Sequence, residues 1–362
     1  MLNVAIVGLG YWGPNLLRNF YGIKDVCKVQ YACDLSEKNI NKFKGQYPDV
    51  QFVQDFEEML KDETLDAVVI ATPVETHYKL GKMALEAGKH LLLEKPMCSN
   101  SEECQELINL AKEKNLILMV DHIFLYTSVI RKMKELVDDG TMGDLYYFDS
   151  ERINVSLVRS DVSVIWDLAP HDISIMYYLF EGKKPKSIYV IGNQRKGQKV
   201  TEMAYISVEF EDGTIGHIHV SWLSSVKIRQ TLLGGSKKML KFDQLDMVEQ
   251  LKIYDRGHLP TQDEVTVFQP AYMAGDIHVP RLNNVEALKV EALHFLACIR
   301  GEEQPMVTGE DGRDVVRVLQ ACDESLKLGQ KIYLNTLTPF SEDRKGEISK
   351  TTTHEQSKVS GP

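Results

Sequence analysis

Lys95, Asp167 and His171 are the side chains of this sequence whose types and settings suit proton transfer. Lys95 sits in Glu94-Lys95-Pro96, directly after the apolar run at 90–93. A lysine at a strand end can donate a hydrogen bond to a substrate hydroxyl and stabilise a developing alkoxide, and its pKa shifts readily on burial. The proline after it can set a cis bond that aims the lysine into a cleft. An exposed turn lysine would read the same way. Asp167 and His171 stand four apart in WDLAPHD, so on a helix they share a face. The histidine can accept a proton near neutral pH, and the aspartate can orient it. The structural alternative makes Asp167 a helix cap, with Pro170 in the first turn and His171 packed.

The start of the chain could hold a partner for that chemistry. An apolar β-branched run (2–7) leads into Gly8-Leu9-Gly10-Tyr11-Trp12-Gly13. A helical pattern follows, and a second apolar run (29–33) ends at Asp34. Gly8 permits a tight turn, Gly10 lets the backbone approach a pyrophosphate, and Gly13 lets the helix pack closely on the strand. The helix start would turn unpaired N–H groups toward the phosphates. Asp34 lies 34 − 13 = 21 residues past the third glycine, near the ~20-residue offset at which an acid takes a ribose 2′-hydroxyl. Strand, glycine turn, helix, strand and acid together specify a dinucleotide site, where GxGxxG alone would not. The carboxylate favours NAD over NADP, whose 2′-phosphate it would repel. Lys38, one helical turn on, would soften that repulsion.

Around these residues, strands and helices alternate to about residue 122. Apolar runs lie at 50–53, 66–71, 90–93 and 116–120, with helical patterns at 37–46, 56–60, 76–87 and 101–112. That rhythm predicts a mostly parallel, doubly wound sheet with ligands beyond the carboxyl ends of its strands. Gly8, Asp34, Thr72, Lys95 and His122 all follow strand ends. Beyond 122 helices are expected at 128–137, 169–179, 285–300 and 312–328. Strands are expected at 145–153, 187–191, 204–210, 215–222, 227–233 and 239–242, with a hairpin signal at Glu211-Asp212-Gly213. The expected organisation is a nucleotide-binding domain (1–122), an α+β domain with an open antiparallel sheet (123–340) and a polar, disordered tail (341–362).

Composition narrows the classes. At 362 residues the chain can bury two cores. A net charge of −10 argues against a nucleic-acid surface, which needs a basic patch, but leaves anionic substrates open. Six scattered cysteines form no CxxC pair and read as buried thiols of a cytoplasmic protein. The first apolar run is too short for a signal peptide, and no run reaches the ~18 residues of a membrane span. His217 and His219 share one sheet face, but without a third ligand at suitable spacing they suit a solvated or interface face, and no metal is expected. No Walker lysine, GxSxG serine or HExxH pair is present.

With GLGYWG at 8–13, ATP at 71–73 followed by His77, EKP at 94–96, the Asp167/His171 pair and GEDGRDVVRVLQACDESLKLGQKIYL at 309–334 in order, the chain resembles the glucose–fructose oxidoreductase/inositol dehydrogenase (Gfo/Idh/MocA) family over residues 1–335. The resemblance implies a Rossmann domain plus an α/β domain whose open sheet makes homodimer or homotetramer contacts. It also implies a catalytic set of Lys95, Asp167 and His171. Lys95 would bind the reacting oxygen, His171 would exchange the hydroxyl proton, and Asp167 would orient His171 or bind a neighbouring hydroxyl. Gly8, Gly10, Tyr11, Trp12, Gly13, Asp34, Thr72, Pro73, His77, Glu94, Lys95 and His122 are the expected cofactor residues. The blocks at 121–145 and 164–176 are similar to bacterial members acting on nucleotide-linked sugars, including 3-dehydrogenases of UDP-N-acetylglucosamine or its uronic acid. Arg152, Asn154 and Arg159 are then candidates for a diphosphate or carboxylate, although polar surface residues would look alike. The expected reaction is hydride transfer between a sugar's secondary alcohol and NAD. The reverse reduction, or oxidation of a free polyol, would use the same residues.

Overall fold

In the computed structural model, residues 1–155, 162–256, 274–283 and 285–334 are described. Six parallel strands form the first sheet: β1 (Leu2–Val7), β2 (Cys27–Cys33), β3 (Gln51–Val53), β4 (Ala67–Ile70), β5 (His90–Glu94) and β6 (Leu118–Asp121). Helices α1 (Gly13–Tyr21), α2 (Glu37–Phe43), α3 (Phe56–Leu60), α4 (Val74–Glu86) and α5 (Ser101–Glu113) connect them. Ser36, Asp55 and Asn100 cap α2, α3 and α5, each accepting a hydrogen bond from the third helical amide. The four residues of β4 are all buried, as a strand covered by helices on both faces must be. The order β3-β2-β1-β4-β5-β6 reverses direction between β1 and β4. Ligands bind at such a switch point, and the glycine turn lies there.

After a 3-10 turn (Ile123–Tyr126) come α6 (Ser128–Asp138), β7 (Leu145–Val155) and α7 (Val164–Leu179). The later strands are β8 (Pro185–Asn193), β9 (Met203–Phe210), β10 (Ile215–Ser221), β11 (Leu223–Gly235), β12 (Lys238–Asp243), β13 (Leu251–Arg256) and β14 (Ala274–His278). Helices α8 (Ala287–Ile299) and α9 (Gly309–Leu328) follow, then β15 (Ile332–Tyr333). The second sheet runs β14-β13-β12-β11-β7-β10-β9-β8-β15. It is mostly antiparallel, but β7 and β10 pair in parallel because α7 and two strands intervene between them. One face is covered by α7, which approaches so closely that a Cβ on Gly216 would lie 2.3 Å from the Met176 sulfur. The other face carries Asp149, Glu151, Tyr205, His217 and His219. Tyr205 stacks on both histidines, and Asp149 and Glu151 pair with them at 3.0 Å.

The chain does not divide cleanly at 122, because α8 packs on α1 and α9 packs on α5 and β6. A Cβ on Gly312 would lie 2.6 Å from Val120, so this glycine sets the approach of α9 to β6. α9 also meets α7 and β8, tying the two sheets together. Two further departures from the sequence reading concern elements. α7 begins at Val164 rather than 169, with Ser163 as its cap, which leaves Asp167 free of capping and Pro170 inside the helix. β13 and β14 extend the sheet beyond the expected last strand. The tail at 341–362 lies outside the described residues. Among the described residues no helix is long and apolar enough to cross a membrane, and no cluster of His, Cys, Asp and Glu could hold a metal.

Candidate active site

The glycine turn folds as its residue types require. Gly8 has φ +91°, and its amide donates to Cys33 O at 2.8 Å. A Cβ on Gly13 would lie 1.7 Å from Gly8 O, whereas one on Gly10 would meet nothing within 4 Å. Gly13 is therefore fixed by packing, whereas at Gly10 the fold leaves open space that a ligand's phosphates could approach. Tyr11 is 96% exposed beside it. Trp12 precedes α1 without capping it through its side chain; Pro14 has no amide hydrogen and Asn15 N donates to Trp12 O at 2.8 Å, so it is the Gly13 amide that the helix start can turn toward an anion. Asp34 Oδ2 accepts from Leu9 N at 2.6 Å and Oδ1 from Ser36 N at 2.7 Å. Asp34 thus holds the turn and stands at its edge, and its further neighbour is Asn39 rather than the exposed Lys38. An open Gly10, an uncapped helix start and a strand-end acid fit a dinucleotide.

Two more strand ends complete the floor. Thr72 and Pro73 follow β4; Glu94, Lys95 and Pro96 follow β5, and the Lys95–Pro96 peptide is cis. His77 joins them, its Nε2 lying 2.8 Å from Thr72 O and its Nδ1 3.0 Å from Pro96 O. At 1% exposure it has no surface to offer a cofactor, a correction to its expected role. It acts on the pocket by fixing the two loops. His122 is also 1% exposed, and neither of its ring nitrogens has a hydrogen-bond partner. Burial pushes its pKa down to about 4, so it is a neutral ring behind the pocket.

Beneath the turn lies a row of acids. Glu94 and Asp121 are opposite one another across β5 and β6, and Trp12 Nε1 donates to Asp121 Oδ2 at 3.2 Å. Glu291 of α8 is 0% exposed and accepts no hydrogen bond. Burial, then the neighbouring Asp121, pushes both Glu94 and Glu291 well above the carboxylate range. Each is then a neutral acid able to donate to Asp121. The sequence carried one signal for Glu291: it interrupts the apolar stripe Leu288, Ala292 and Phe295. A folded pKa above the unfolded 4.5 gives stability that is full below 4.5 and is lost as pH rises through the folded value. Glu291→Gln is therefore expected to flatten the fall in unfolding midpoint as pH rises above the ordinary carboxylate range. Parallel midpoint–pH curves for variant and wild type would contradict this.

The second sheet brings α7 to these loops. Lys95 Nζ donates to the main-chain carbonyl of Asp167 at 3.0 Å. The Asp167 carboxylate accepts from Trp222 Nε1 at 3.2 Å. His171 Nδ1 is buried without a hydrogen-bond partner, so the ring is not held through that nitrogen. Packing holds it instead: the Phe124 ring meets His171 edge-on at 4.9 Å. Burial, then Lys95 and Arg152, hold the His171 pKa well below its usual range, so the ring is neutral and able to accept a proton.

Of the proposed anion contacts, Arg152 is already engaged. Its Nε and Nη2 donate to Asp172 at 2.6 and 3.1 Å, and its guanidinium lies 4.7 Å from the Phe124 ring. Arg152 is 3% exposed and Asp172 1%. Asn154 Nδ2 donates to the Val155 carbonyl, and its Oδ1 is buried without a partner. Arg159 lies outside the described residues.

Comparison with known proteins fits this arrangement. The NAD-binding Rossmann fold of the Gfo/Idh/MocA oxidoreductase family matches residues 2–122, and the Gfo/Idh/MocA C-terminal domain matches residues 130–241. UDP-N-acetylglucosamine 3-dehydrogenase of Acidithiobacillus ferrooxidans is 30% identical over 194 residues, 53% of this chain and 59% of that protein. The solved structure of that organism's UDP-N-acetylglucosamine 3-dehydrogenase has a TM-score of 0.78 at 22% identity, over 90% of this chain and 98% of the other. The NADP-linked scyllo-inositol 2-dehydrogenase of Bacillus subtilis is 23% identical over 354 residues, 92% of this chain and 96% of that one. A protein of gentamicin A biosynthesis solved in complex with NAD has a TM-score of 0.77 at 19% identity, over 92% of this chain and 96% of the other. Matched by both family domains across its glycine turn, its EKP loop and its second sheet, the chain belongs to the Gfo/Idh/MocA family and is an NAD(P)-dependent oxidoreductase acting on CH–OH groups.

Proposed function

We propose that this enzyme uses NAD to oxidise a secondary alcohol at C3 of a UDP-linked N-acetylhexosamine or of its uronic acid. The observation that carries the chemistry is the meeting of Lys95 with the Asp167 carbonyl beside a neutral His171. Lys95 Nζ donates to the reacting oxygen and stabilises its developing charge. His171 takes the hydroxyl proton, and Asp167 holds Lys95 through its carbonyl. Gly8, Gly10, Tyr11, Trp12 and Gly13 cradle the dinucleotide's phosphates, Asp34 meets its ribose, and Thr72, Pro73 and Glu94 line its far end. When bound, the dinucleotide supplies the hydride acceptor. The nucleotide-sugar part is supported by the 30% identity to the UDP-N-acetylglucosamine enzyme. NAD over NADP is supported by the Asp34 carboxylate.

A free polyol is the second reading, favoured by likeness to the inositol enzyme along nearly its whole length. Absorbance at 340 nm with NAD separates the two. The first reading expects NADH from UDP-N-acetylglucosamine or its uronic acid; NADH only from inositol or glucose rejects it. If all are silent, keto-sugar nucleotides with NADH test the reverse direction. A cytoplasmic location belongs to the proposal and is supported by six buried free thiols. So does a homodimer or homotetramer formed through the open sheet face, where Tyr189, Ile191, Tyr205 and Ile215 are exposed. Light scattering that gives a monomer would reject it.

A further inference from the structure

The strand register of the second sheet places Arg229 of β11 directly opposite Arg152 of β7. Opposed residues project from the same face, so both guanidinium groups point to the side covered by α7. They differ in what meets them there. Arg152 is neutralised by Asp172. Arg229 is half-buried; its main-chain carbonyl accepts from Gln244 N, but its guanidinium makes no hydrogen bond or ion pair among the described residues. Burial and then the charge of Arg152 pull its pKa below the usual range, while Asp172, Asp167 and the Tyr11 phenol act the other way. Arg229 also acts on His171. The register sets Arg229 on the α7 side of the sheet, beside the buried Arg152–Asp172 pair. Among the described residues, Lys95, Arg152 and Arg229 lie toward Asp167 and Asp172. A half-buried cation beside a like charge, with no carboxylate of its own among the described residues, is costly unless an anion arrives. Its planar fork suits a phosphate or a carboxylate.

We propose that Arg229 is the residue that binds the substrate's oxyanion, a phosphate of a nucleotide sugar or the carboxylate of a uronic acid. The proposal rests on the charged-sugar reading above and narrows it to one side chain. Arg152, which the sequence offered for that role, is its neighbour and is already paired.

Calorimetric titration of the enzyme–NAD complex with UDP, with glucuronate and with inorganic phosphate tests the site without turnover. Wild type is expected to bind UDP if the anion is a diphosphate, and glucuronate if it is a carboxylate. Arg229→Gln is expected to weaken that binding about 100-fold, and Arg229→Lys about tenfold, with NAD binding unchanged. In turnover the KM for the charged sugar rises by a similar factor, while kcat stays within about threefold. The unfolding midpoint of Arg229→Gln is expected at or above that of wild type, because a like-charge contact is lost and no bond is. Unchanged anion binding in Arg229→Gln overturns the proposal. So does failure of all three anions to bind wild type, or a lowered midpoint, which would make Arg229 structural. Turnover of uncharged polyols alone, with UDP or glucuronate binding still dependent on Arg229, would reject the substrate reading and keep the site. Turnover of a UDP sugar with unchanged KM in Arg229→Gln would do the reverse.

Discussion

Lys95→Ala is expected to lower kcat by about 10³-fold or more while leaving the dissociation constant for NAD within about threefold. The size follows from what the ammonium does. It is held 3.0 Å from the Asp167 carbonyl, at the end of β5, and the substrate hydroxyl must lose its proton beside it. Removing the donor leaves the developing alkoxide without its charge partner, and a preorganised donor of this kind usually carries a large part of the rate. On the proposed reading, most of the NAD affinity comes from the amides of the glycine turn and from Asp34. The fold loses one hydrogen bond to a main-chain carbonyl, worth about 1.5–3 kcal/mol at most. Lys95→Arg keeps the charge but replaces a point donor by a planar fork, so it is expected to recover little. Single-turnover kinetics with NADH fluorescence, beside a direct NAD titration, would check both halves. Unchanged turnover removes Lys95 from the mechanism, and parallel losses of turnover and NAD affinity would make it a cofactor ligand.

The parts of this site that were legible in the sequence are those fixed by local backbone chemistry. Gly8 and Gly13 are glycines because of φ +91° and a 1.7 Å contact, and both causes lie within the GLGYWG segment or the strand beside it. Lys95 could be placed because strand ends of a parallel sheet converge on one edge. What the sequence hid depends on partners brought together by tertiary packing. Arg152 and Arg229 are two basic residues on strands, and nothing nearby in sequence says that Asp172 takes one and leaves the other. Glu291 meets Asp121 across 170 positions of chain. His77 lies on a helix start like any surface residue, yet its ring closes the gap between two loops. The cap of α7 was misplaced for a different reason: Pro170 reads as a first-turn residue, but Ser163 starts the helix earlier and tertiary packing tolerates the missing amide. β13 is short and ends in Asp255-Arg256, although Leu251 and Ile253 alternate into the core, and β14, at the edge of the sheet, buries little and so shows no alternation to read.

Asp172→Ala is expected to cost about 3–5 kcal/mol of stability, the largest effect of any single side chain outside the apolar core. Asp172 and Arg152 are buried together, and the pair's fork geometry satisfies both charges. Truncating the acid leaves a guanidinium that cannot be neutralised and can reach only Gln244, at 3.3 Å. It also leaves two unpaired arginines side by side, since Arg229 is opposite. The catalytic consequence passes through one ring. Arg152 lies over Phe124, and Phe124 sets the edge of His171. A guanidinium that swings away to find water releases Phe124, and His171 loses the packing that aims it, because its Nδ1 has no hydrogen bond to hold it. Turnover is therefore expected to fall about tenfold to a hundredfold with NAD affinity intact, through misplacement of the histidine. Replacing both partners, Arg152→Met with Asp172→Leu, removes the stranded charge and is expected to recover most of the stability. It should not recover the turnover, because the cation over Phe124 is gone. Denaturant midpoints and kcat for the single and double variants separate the two effects. A single variant that loses less than about 1 kcal/mol would mean that Arg152 is solvated rather than buried with its acid, and a double variant with full activity would remove the Phe124 link.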